Sequence, residues 1–397
     1  MGITTTEPPA RLLDLTRLVS RAGRSLTGVD RVEYAYLDRL VREPVPLFGL
    51  VRSALGFLLL DRAGCAELHA RVATQDWPAP DALARLARRG DPSRAGAEAA
   101  LRRVARGRAL PARLGALLRR HLPAGTTYLN TGHTTLSSDL LRGLRQVPGL
   151  RRVLLLHDTI PLDFPQYQRP GASDRFRRFL DRVSAEADLL ICNSAVTRAD
   201  VARHLGRGRQ PPALVAHLGV TPPPTGTAPD GPWRGQPYVV ALGTIEPRKN
   251  HALLLDIWQS LSPPAHLLIC GSRGWENAAV FAALDRGIAR VHELPGLPDA
   301  AISALLRGSA GLVFPSHAEG YGLPPVEAAA LGVPVLSADL PVVREIMGDI
   351  PVYAEVSDRY LWAQRIRQLA DHPRPARPDG WSPPGWEAHF RAVLGQI

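Results

Sequence analysis

The segment PSHAEGYGLPPVEAAALG, residues 315–332, places Glu319 and Glu327 eight positions apart around a predicted strand-to-helix junction. The strand is predicted to end at Ser316 and the helix to begin near Pro324, because proline is well tolerated in a first helical turn. Such a junction lies at the carboxyl edge of a sheet, where α/β proteins bind ligands. Carboxylates there can accept hydrogen bonds from the vicinal diol of a sugar or ribose. Two solvated glutamates near a helix N-terminus are the alternative interpretation.

Short apolar runs alternate with helical periodicity over most of the chain. From residue 237 onward the runs include PYVVALG, HALLLDIWQSL, AHLLICG and NAAVFAALDRG. This alternation predicts βαβ units on a parallel sheet. Earlier strand-like runs are TTYLNTG, RRVLLLHD, ADLLICNS and ALVAHLG, with helices predicted over 173–187 and 195–205. The proline-rich stretch 219–235 lacks periodicity and predicts an interdomain linker.

A second cluster, LGTIEPRKNH at 242–251, follows the first predicted strand of the second half. A turn at Gly243, the cations Arg248 and Lys249, and a helix start are together suited to a pyrophosphate. Lys249 is the only lysine in a chain of net charge +11, which favours a compact ammonium at that position. An exposed basic turn is the alternative interpretation.

The two clusters resemble those of family 4 glycosyltransferases, which have the GT-B fold: two Rossmann-like α/β domains with parallel sheets facing a central cleft. EGYGLPPVE resembles that family's Glu-x7-Glu motif, and LGTIEPRKNH resembles its diphosphate-binding segment. Thr244 departs from the family pattern, since many relatives have an arginine directly after the glycine. Which of Arg248 and Lys249 touches phosphate therefore stays open. Polysaccharide-building members are also similar to GVDRVE at 28–33, LLHDTIPLDFP at 155–165 and ICNSAVTRADV at 191–201.

The resemblance implies a set of site residues. Catalytic roles are implied for Glu319, His157, Arg248 and Lys249. Donor-binding roles are implied for Gly28, Gly243, Arg248, Lys249, Leu294, Gly320, Tyr321, Gly322, Leu323 and Glu327. Gly28 would lie in the loop beside the donor phosphates, and His157 would face the transferred sugar, although a lone histidine after a strand is usually structural. The nucleotide base would be held largely by backbone groups of residues 292–296.

The implied activity is a retaining hexosyl transfer from a nucleotide-diphosphate sugar to a saccharide or lipid-linked acceptor in cell-surface polysaccharide biosynthesis. GDP-mannose is the favoured donor, because GTIEPRKN and HDTIP resemble segments of bacterial mannosyltransferases. The sequence has no Asp-x-Asp pair for a divalent cation, so we expect neither a metal nor a cofactor other than the donor substrate. The alternatives are a sugar-nucleotide epimerase or phosphorylase on the same fold, and a non-catalytic basic protein that binds membrane or nucleic acid.

The chain has 397 residues, too many for one ordinary hydrophobic core. We predict an N-terminal Rossmann-like acceptor domain over 1–222 and a C-terminal Rossmann-like nucleotide-sugar-binding domain over 223–375. Residues 376–397 are predicted to form a helical segment that packs back towards the N-terminal domain. Neither a secretory signal nor an apolar stretch long enough to span a bilayer is recognised. We therefore expect a cytoplasmic protein, with the inner face of the cell membrane as a further location.

The stretch 81–120 has eleven arginines and three acidic residues, a net charge of +8. Its leucines and alanines recur at helical spacing, which predicts an arginine-coated amphipathic helix pair packed on the N-terminal domain. This helix pair is either a solvated face or a surface for anionic lipid or a phosphate-bearing acceptor. No recognisable nucleic-acid-binding module is present, so nucleic acid is not an expected partner.

Overall fold

A computed structural model describes residues 7–87, 91–133, 136–221, 224, 226–371 and 381–397. Across these residues the chain forms two sheets flanked by helices, one in each half of the sequence. The predicted α/β class is confirmed. The strands inside each sheet are mostly buried, which explains why they read as continuous apolar runs in the sequence.

The first half contains an eight-stranded sheet in the order β4-β3-β2-β1-β5-β6-β7-β8. Its strands are β1 (Arg11–Asp14), β2 (Leu47–Ser53), β3 (Gly56–Leu60), β4 (Gly107–Ala109), β5 (Thr127–Asn130), β6 (Arg151–Leu156), β7 (Leu189–Cys192) and β8 (Ala213–Val215). Its helices are α1 (Thr16–Ser20), α2 (Gly28–Leu40), α3 (Arg62–Thr74), α4 (Ala82–Ala87), α5 (Pro92–Val104), α6 (Leu114–His121), α7 (Ser138–Leu144), α8 (Ile160–Asp163), α9 (Ala172–Glu186) and α10 (Ala195–Leu205).

The second half contains a six-stranded parallel sheet in the order β11-β10-β9-β12-β13-β14. Its strands are β9 (Tyr238–Leu242), β10 (His266–Cys270), β11 (Val291–Glu293), β12 (Gly311–Phe314), β13 (Val335–Ala338) and β14 (Val352–Ala354). Its helices are α11 (His251–Leu261), α12 (Ala278–Arg286), α13 (Asp299–Gly308), α14 (Leu323–Ala330), α15 (Pro341–Met347), α16 (Arg359–Asp371) and α17 (Trp386–Leu394).

The first sheet is mixed, which corrects the prediction of two parallel sheets. Strand β3 runs antiparallel to both β2 and β4, whereas the remaining pairs are parallel. The reason is a tight turn at Ala54–Leu55 inside what reads as one apolar stretch. Gly56 has φ of 112°, and a Cβ at that position would lie 2.4 Å from the carbonyl oxygen of Ala109, so glycine is required there.

The C-terminal helix α17 packs on the first half of the chain. The Tyr36 hydroxyl lies 2.8 Å from Nε2 of His389, and Arg39 forms an ion pair with Glu387 at 2.8 Å. The helix therefore connects the end of the chain to α2 of the first half. Residues 222, 223 and 376–380, where the predicted domain limits fall, lie outside the described residues.

The stretch 81–120 forms three helices where a pair was predicted: α4 and α5 pack on each other through Ala84, Ala95 and Ala99, whereas α6 lies apart from them. Leu101 of α5 belongs to the core on one face of the first sheet, whereas Leu114 and Leu118 of α6 belong to the core on the other face. The edge strand β4 lies between the two helices in sequence and pairs with β3. The helices α5 and α6 do not pack on each other because they lie on opposite faces of the sheet at one of its edges. Residues 88–90 of this stretch lie outside the described residues.

Candidate functional site

The segment 315–332 connects β12 to α14 at the carboxyl edge of the second sheet. Strand β12 ends at Phe314 and α14 begins at Leu323, each within two residues of the limits expected from sequence. Gly322 precedes the helix with φ of 92°, a left-handed conformation that glycine adopts at little energetic cost. The loop between the strand and the helix holds Glu319 against the turn that follows β9.

Glu319 lies between two cations. Lys249 Nζ donates to Glu319 Oε1 at 2.7 Å, and Arg248 Nη1 lies 2.9 Å from Glu319 Oε2. The Glu319 side chain is only 7% exposed, so the carboxylate is buried between these cations at the edge of the sheet. Burial opposes ionisation, but the charges of Arg248 and Lys249 outweigh it and lower the pKa of Glu319 to about 2.

The two cations come from a 3₁₀ turn, Pro247–Lys249, that follows β9. A Cβ on Gly243 would lie 3.3 Å from Cε of Lys249, so the lysine stem packs against the glycine, and its Nζ lies 4.9 Å from the centre of the Phe314 ring. Arg248 also pairs with Glu246 at 2.7 Å. The buried cluster thus has two cations and two carboxylates, and a pyrophosphate must compete with these carboxylates for the cations.

Glu327 contacts the first half of the chain. Arg31 of α2 donates from Nη1 to Glu327 Oε1 at 2.7 Å and from Nη2 to Asp299 Oδ1 at 2.7 Å. Burial raises the pKa of Glu327, and the charge of Arg31 opposes that rise. Both carboxylates of this interdomain bridge lie on helices of the second half, so Arg31 links α2 to α13 and α14. The oxygen Oε2 of Glu327 is the one that Arg31 does not contact in this arrangement.

His157 follows β6 and lies at the boundary between the two halves. The Nε2 atom of His157 lies 2.7 Å from the carbonyl oxygen of Thr131. A Cβ on Gly320 would lie 2.7 Å from the carbonyl oxygen of His157. Asn193 Nδ2 donates to the carbonyl oxygens of both His157 and Gly320, at 2.8 and 3.1 Å. The first half therefore contacts the Glu319 loop through the backbone at His157.

The structure corrects the predicted position of Gly28 and locates the other donor-binding candidates. Gly28 is the first residue of α2 and not part of a loop, because Thr27 caps the helix through a capping box with Asp30. A Cβ on Gly28 would lie 3.3 Å from Cδ1 of Leu323, so α2 and α14 begin side by side. Tyr321 is buried and donates its hydroxyl hydrogen to the Leu218 carbonyl. Leu294 directly follows β11.

Sequence reasoning missed Arg31, Asn193 and Asp299. Arg31 lies inside GVDRVE and Asn193 inside ICNSAVTRADV, so both segments were recognised while these side chains received no role. No sequence signal marks Asp299, whose part in the site depends on the approach of α13 to α2. The contacts of Arg31 with Glu327 and Asp299, and of Asn193 with Gly320, each join residues more than 100 positions apart.

Three buried histidines are expected to make the folded protein less stable in acid. Burial lowers the pKa of His157, His251 and His389 to about 4 from an ordinary value of 6.5. The unfolded chain takes up protons near pH 6.5 and the folded histidines only near pH 4, so acid favours unfolding. We expect the unfolding free energy to fall by about 1.4 kcal/mol per pH unit for each histidine between these values.

The measurement is the urea midpoint at pH 7 and at pH 5, with the dependence of stability on urea checked to be unchanged. His251→Gln is the informative variant, because it should make the decline less steep. A midpoint that is the same at both pH values would contradict the assignment of these histidines as neutral and buried.

Residues 229–377 match the family model described as glycosyl transferases group 1. The matched range includes both the Glu319 loop and the turn with Arg248 and Lys249. The second half of the chain is thus a glycosyltransferase group 1 domain, and the resemblance to family 4 glycosyltransferases is confirmed. The first half of the chain lies outside this match.

Two curated relatives show what this chain is similar to. The serotype-specific mannosyltransferase WbdA of Escherichia coli is 31% identical over 214 residues, which are 48% of this chain and 26% of that protein. The O-antigen chain mannosyltransferase B of Escherichia coli is 34% identical over 132 residues, which are 32% of this chain and 34% of that protein. The matches span about a quarter to a third of the length of these relatives.

Two solved structures share the fold, one of them over nearly the whole chain. HepE from Anabaena, in complex with UDP-glucose, has a TM-score of 0.57 over 98% of this chain and 94% of that chain, at 16% identity. Sucrose-phosphate synthase from Thermosynechococcus elongatus has a TM-score of 0.51 over 68% of this chain and 71% of that chain, at 18% identity. The GT-B architecture predicted from the motifs is confirmed.

Proposed function

We propose that this protein is a glycosyltransferase that transfers a hexose from a nucleotide-diphosphate sugar to a saccharide or lipid-linked acceptor. The observation that carries the proposal is the buried ion cluster of Glu319, Arg248 and Lys249, located at the carboxyl edge of one sheet and in contact with the other half at His157. The names of the relatives, which are bacterial polysaccharide mannosyltransferases, support the proposal.

In the proposed mechanism, the donor diphosphate binds Arg248 and Lys249, which exchange part of their pairing with Glu319 and Glu246 for the phosphate oxygens. As the bond from the anomeric carbon to the diphosphate oxygen breaks, negative charge grows on the leaving group. Cations fixed in a buried site stabilise that charge without reorganisation. Glu327 would accept hydrogen bonds from the ribose diol once Arg31 yields or shares the carboxylate.

His157 is proposed to lie beside the transferred hexose. Burial lowers its pKa to about 4, so the imidazole is neutral near pH 7 and its Nε2 hydrogen is directed to the Thr131 carbonyl. A neutral, fixed ring positions the sugar and does not act as a proton donor. The hydroxyl oxygen of the acceptor forms the new bond to the anomeric carbon, and its proton passes to the departing diphosphate.

The donor is proposed to be GDP-mannose. The support is the mannosyltransferase names of the relatives and the resemblance of GTIEPRKN and HDTIP to such enzymes. The test is a thermal-shift titration with GDP, UDP, ADP and TDP, followed by hexose release from the matching nucleotide sugars without acceptor. Release from GDP-mannose alone would support the proposal. Release from UDP-glucose alone would replace the donor and leave the transferase assignment intact.

We expect the anomeric configuration to be retained and no divalent metal to be required. Among the described residues, no group of three or more His, Cys, Asp and Glu side chains could hold a metal ion, and the donor diphosphate has cationic partners in Arg248 and Lys249. Product NMR gives the configuration, and turnover in EDTA with and without added manganese gives the metal requirement. An inverted product, or activity that EDTA abolishes and manganese restores, would contradict this prediction.

The proposed location is the cytoplasm, at the inner face of the cell membrane, with contact through a basic surface. This basic surface consists of Arg103, Arg106, Arg119 and Arg120, at the ends of α5 and α6 and at the start of β4. All four are exposed and have no ion pair with another described residue. A Cβ on Gly107, next to Arg106, would lie 3.5 Å from Nε2 of His121, next to Arg120, so the start of β4 lies near the end of α6. Over the described ranges, no helix is long and apolar enough to cross a bilayer.

We expect the quadruple variant with Arg103, Arg106, Arg119 and Arg120 replaced by glutamine to lose binding to anionic liposomes. Each basic residue near such a surface contributes about 1 kcal/mol. Arg102 is unsuitable for the test, because it is mostly buried and pairs with Asp81 at 2.5 Å. The measurement is sedimentation with phosphatidylserine vesicles at low and moderate salt, together with the KM for a lipid-linked acceptor.

The matched control replaces four other exposed arginines by glutamine: Arg175, Arg178, Arg286 and Arg307. This control removes the same charge and should bind vesicles nearly as the wild type does. Equal binding by the wild type and the first quadruple variant would show that the basic surface is only a solvated face. Strong salt-dependent binding to DNA without any nucleotide-sugar affinity would instead favour the non-catalytic alternative.

A further inference from the structure

A cavity of about 220 Å³ opens in the first half of the chain, at the carboxyl ends of β1, β2 and β5. Asp14, Arg17, Arg52, Phe57 and His133 contribute to its wall. None of these residues belongs to the Glu319 cluster or to the motifs at 242–251 and 315–332. The carboxyl edge of parallel strands is where α/β sheets bind ligands, so the position alone makes the cavity a candidate binding site.

The cavity shares a wall with the proposed reaction site. His133 accepts at Nε2 a hydrogen bond of 2.9 Å from the backbone nitrogen of His157, and the two rings meet edge to face at 4.9 Å. His157 in turn contacts Gly320 of the loop that holds Glu319. His133 therefore connects the wall of the cavity to His157 at the proposed reaction site.

Two guanidinium groups dominate the charge of the cavity. Arg52 is exposed and has no side-chain hydrogen bond or ion pair with another described residue. Arg17 donates from Nε to the buried carboxylate of Asp30 at 2.6 Å, which fixes the plane of its guanidinium. The terminal amino groups of Arg17 have no partner among the residues that the structure describes. Planar guanidinium groups suit the oxygens of a phosphate.

The negative charge in the wall comes from Asp14. Its oxygens already accept hydrogen bonds from the Thr16 nitrogen at 3.0 Å and from the Tyr128 hydroxyl at 2.8 Å. Burial lowers the pKa of His133 well below its ordinary value, so that ring is uncharged near pH 7. Because Arg17 is paired with Asp30, Arg52 is the cation of this wall that has no carboxylate partner among the described residues.

We propose that this cavity is the acceptor site and that Arg52, together with Arg17, binds a phosphate group on the acceptor saccharide. The proposal rests on the proposed function, because it assigns the second substrate of the same transfer. Phe57 and Leu140 supply apolar wall for the carbon-bound hydrogens of a sugar ring. The recognised chemistry is a phosphate ester on a saccharide, whether the saccharide is soluble or lipid-linked.

Exposed leucines lie at the same edge of the sheet as the cavity. Leu55 in the β2–β3 turn is 37% exposed, and Leu110 after β4 is 66% exposed. The close contact between Gly56 and Ala109 holds the turn against the end of β4, so the two leucines lie near each other. An apolar rim next to a phosphate site suits a prenyl chain, which makes a lipid-linked acceptor one of the two sources to test.

The test compares Arg52→Gln with the wild type on three acceptors: methyl mannoside, methyl mannoside 6-phosphate and a prenyl-diphosphate-linked monosaccharide in detergent. We expect the KM for a phosphate-bearing acceptor to rise roughly tenfold to a hundredfold and the KM for methyl mannoside to change less than twofold. A raised KM for both phosphate-bearing acceptors supports the proposal for soluble and lipid-linked saccharides alike. A raised KM for the lipid-linked acceptor alone supports the proposal and identifies the lipid-linked saccharide as the source of the phosphate. An unchanged KM for both, or an equal rise with methyl mannoside, overturns it.

Two further measurements separate this proposal from the proposed function. Hexose release from the nucleotide sugar without acceptor reports on the donor site, and it should be unchanged in Arg52→Gln. Calorimetric binding of methyl mannoside 6-phosphate, measured without any donor, should weaken in Arg52→Gln but not in the matched control Arg286→Gln, an exposed arginine of the second half. The wild type and both variants could all fail to release hexose while Arg52→Gln still binds methyl mannoside 6-phosphate more weakly than the other two proteins. In that case the proposed function fails and the phosphate site stands. Equal binding by all three proteins overturns the site.

Discussion

Replacing Glu319 with alanine is expected to reduce the transfer rate by roughly tenfold to a hundredfold and to destabilise the fold. The rate falls because the carboxylate is proposed to contact the donor, and a charged hydrogen bond contributes about 1.5–3 kcal/mol. Stability falls because Arg248 and Lys249 lose the partner that both contact, at 2.9 and 2.7 Å. Removing one member of a buried ion pair destabilises by about 3–5 kcal/mol. Turnover and urea unfolding, measured on the same samples, give both quantities.

Glu327→Ala is the comparison that separates the two effects. Among the residues that the structure describes, its ion-pair partner is Arg31, which is about one-third exposed, so water can solvate the arginine after the change. We therefore expect the loss in stability to be smaller than for Glu319→Ala, with the KM for the donor raised through the lost ribose contact. Unchanged turnover in both variants would exclude these glutamates from the site, and equal destabilisation would contradict the burial argument.

The pH dependence provides a check on Glu319 that needs no substrate. Its pKa of about 2 in the folded state is below the ordinary 4.5, because two cations outweigh the effect of burial. The stability from this ionised carboxylate is thus fully present above about pH 4.5 and is lost as pH falls towards 2. Glu319→Gln should reduce this acid-induced loss, since glutamine does not titrate.

Replacing Lys249 with arginine is expected to reduce turnover roughly tenfold or more, although the charge is kept. The Lys249 side chain is 12% exposed and lies among Gly243, Phe314 and Glu319. A planar guanidinium is larger than an ammonium and its donors point in fixed directions, so it does not fit the same space. The variant Lys249→Met keeps most of the volume and removes the charge, and we expect it to lower turnover further.

The matched control is Arg286→Lys, the reverse exchange at an exposed position outside the cluster. It should leave turnover and the unfolding midpoint within experimental scatter of the wild type. Wild-type turnover in Lys249→Arg would show that only the charge is needed at that position. It would also show that the position of the chain's only lysine does not require a compact ammonium.

The sequence by itself determined the α/β class and the strand-to-helix junctions at 315–332 and 242–251. It could do so because the information is local: apolar runs of strand length, helical periodicity, and glycine and proline at turns. Helices predicted at 173–187 and 195–205 are α9 and α10, within one residue at each limit. The resemblance to a known family added the GT-B architecture, which periodicity alone does not specify.

Only the tertiary structure decided which side chains meet. The pairing of Arg31 with Glu327 and the cavity beside His133 join segments far apart in sequence. The direction of β3 and the separation of α5 from α6 depend on how neighbouring segments pack on the first sheet. An ion pair or a cavity depends on distances of a few ångströms, and those follow from how helices and sheets pack over the whole chain. The burial of Glu319 has the same origin: glycines and a tyrosine follow it in sequence, but two cations 70 and 71 positions earlier enclose its carboxylate.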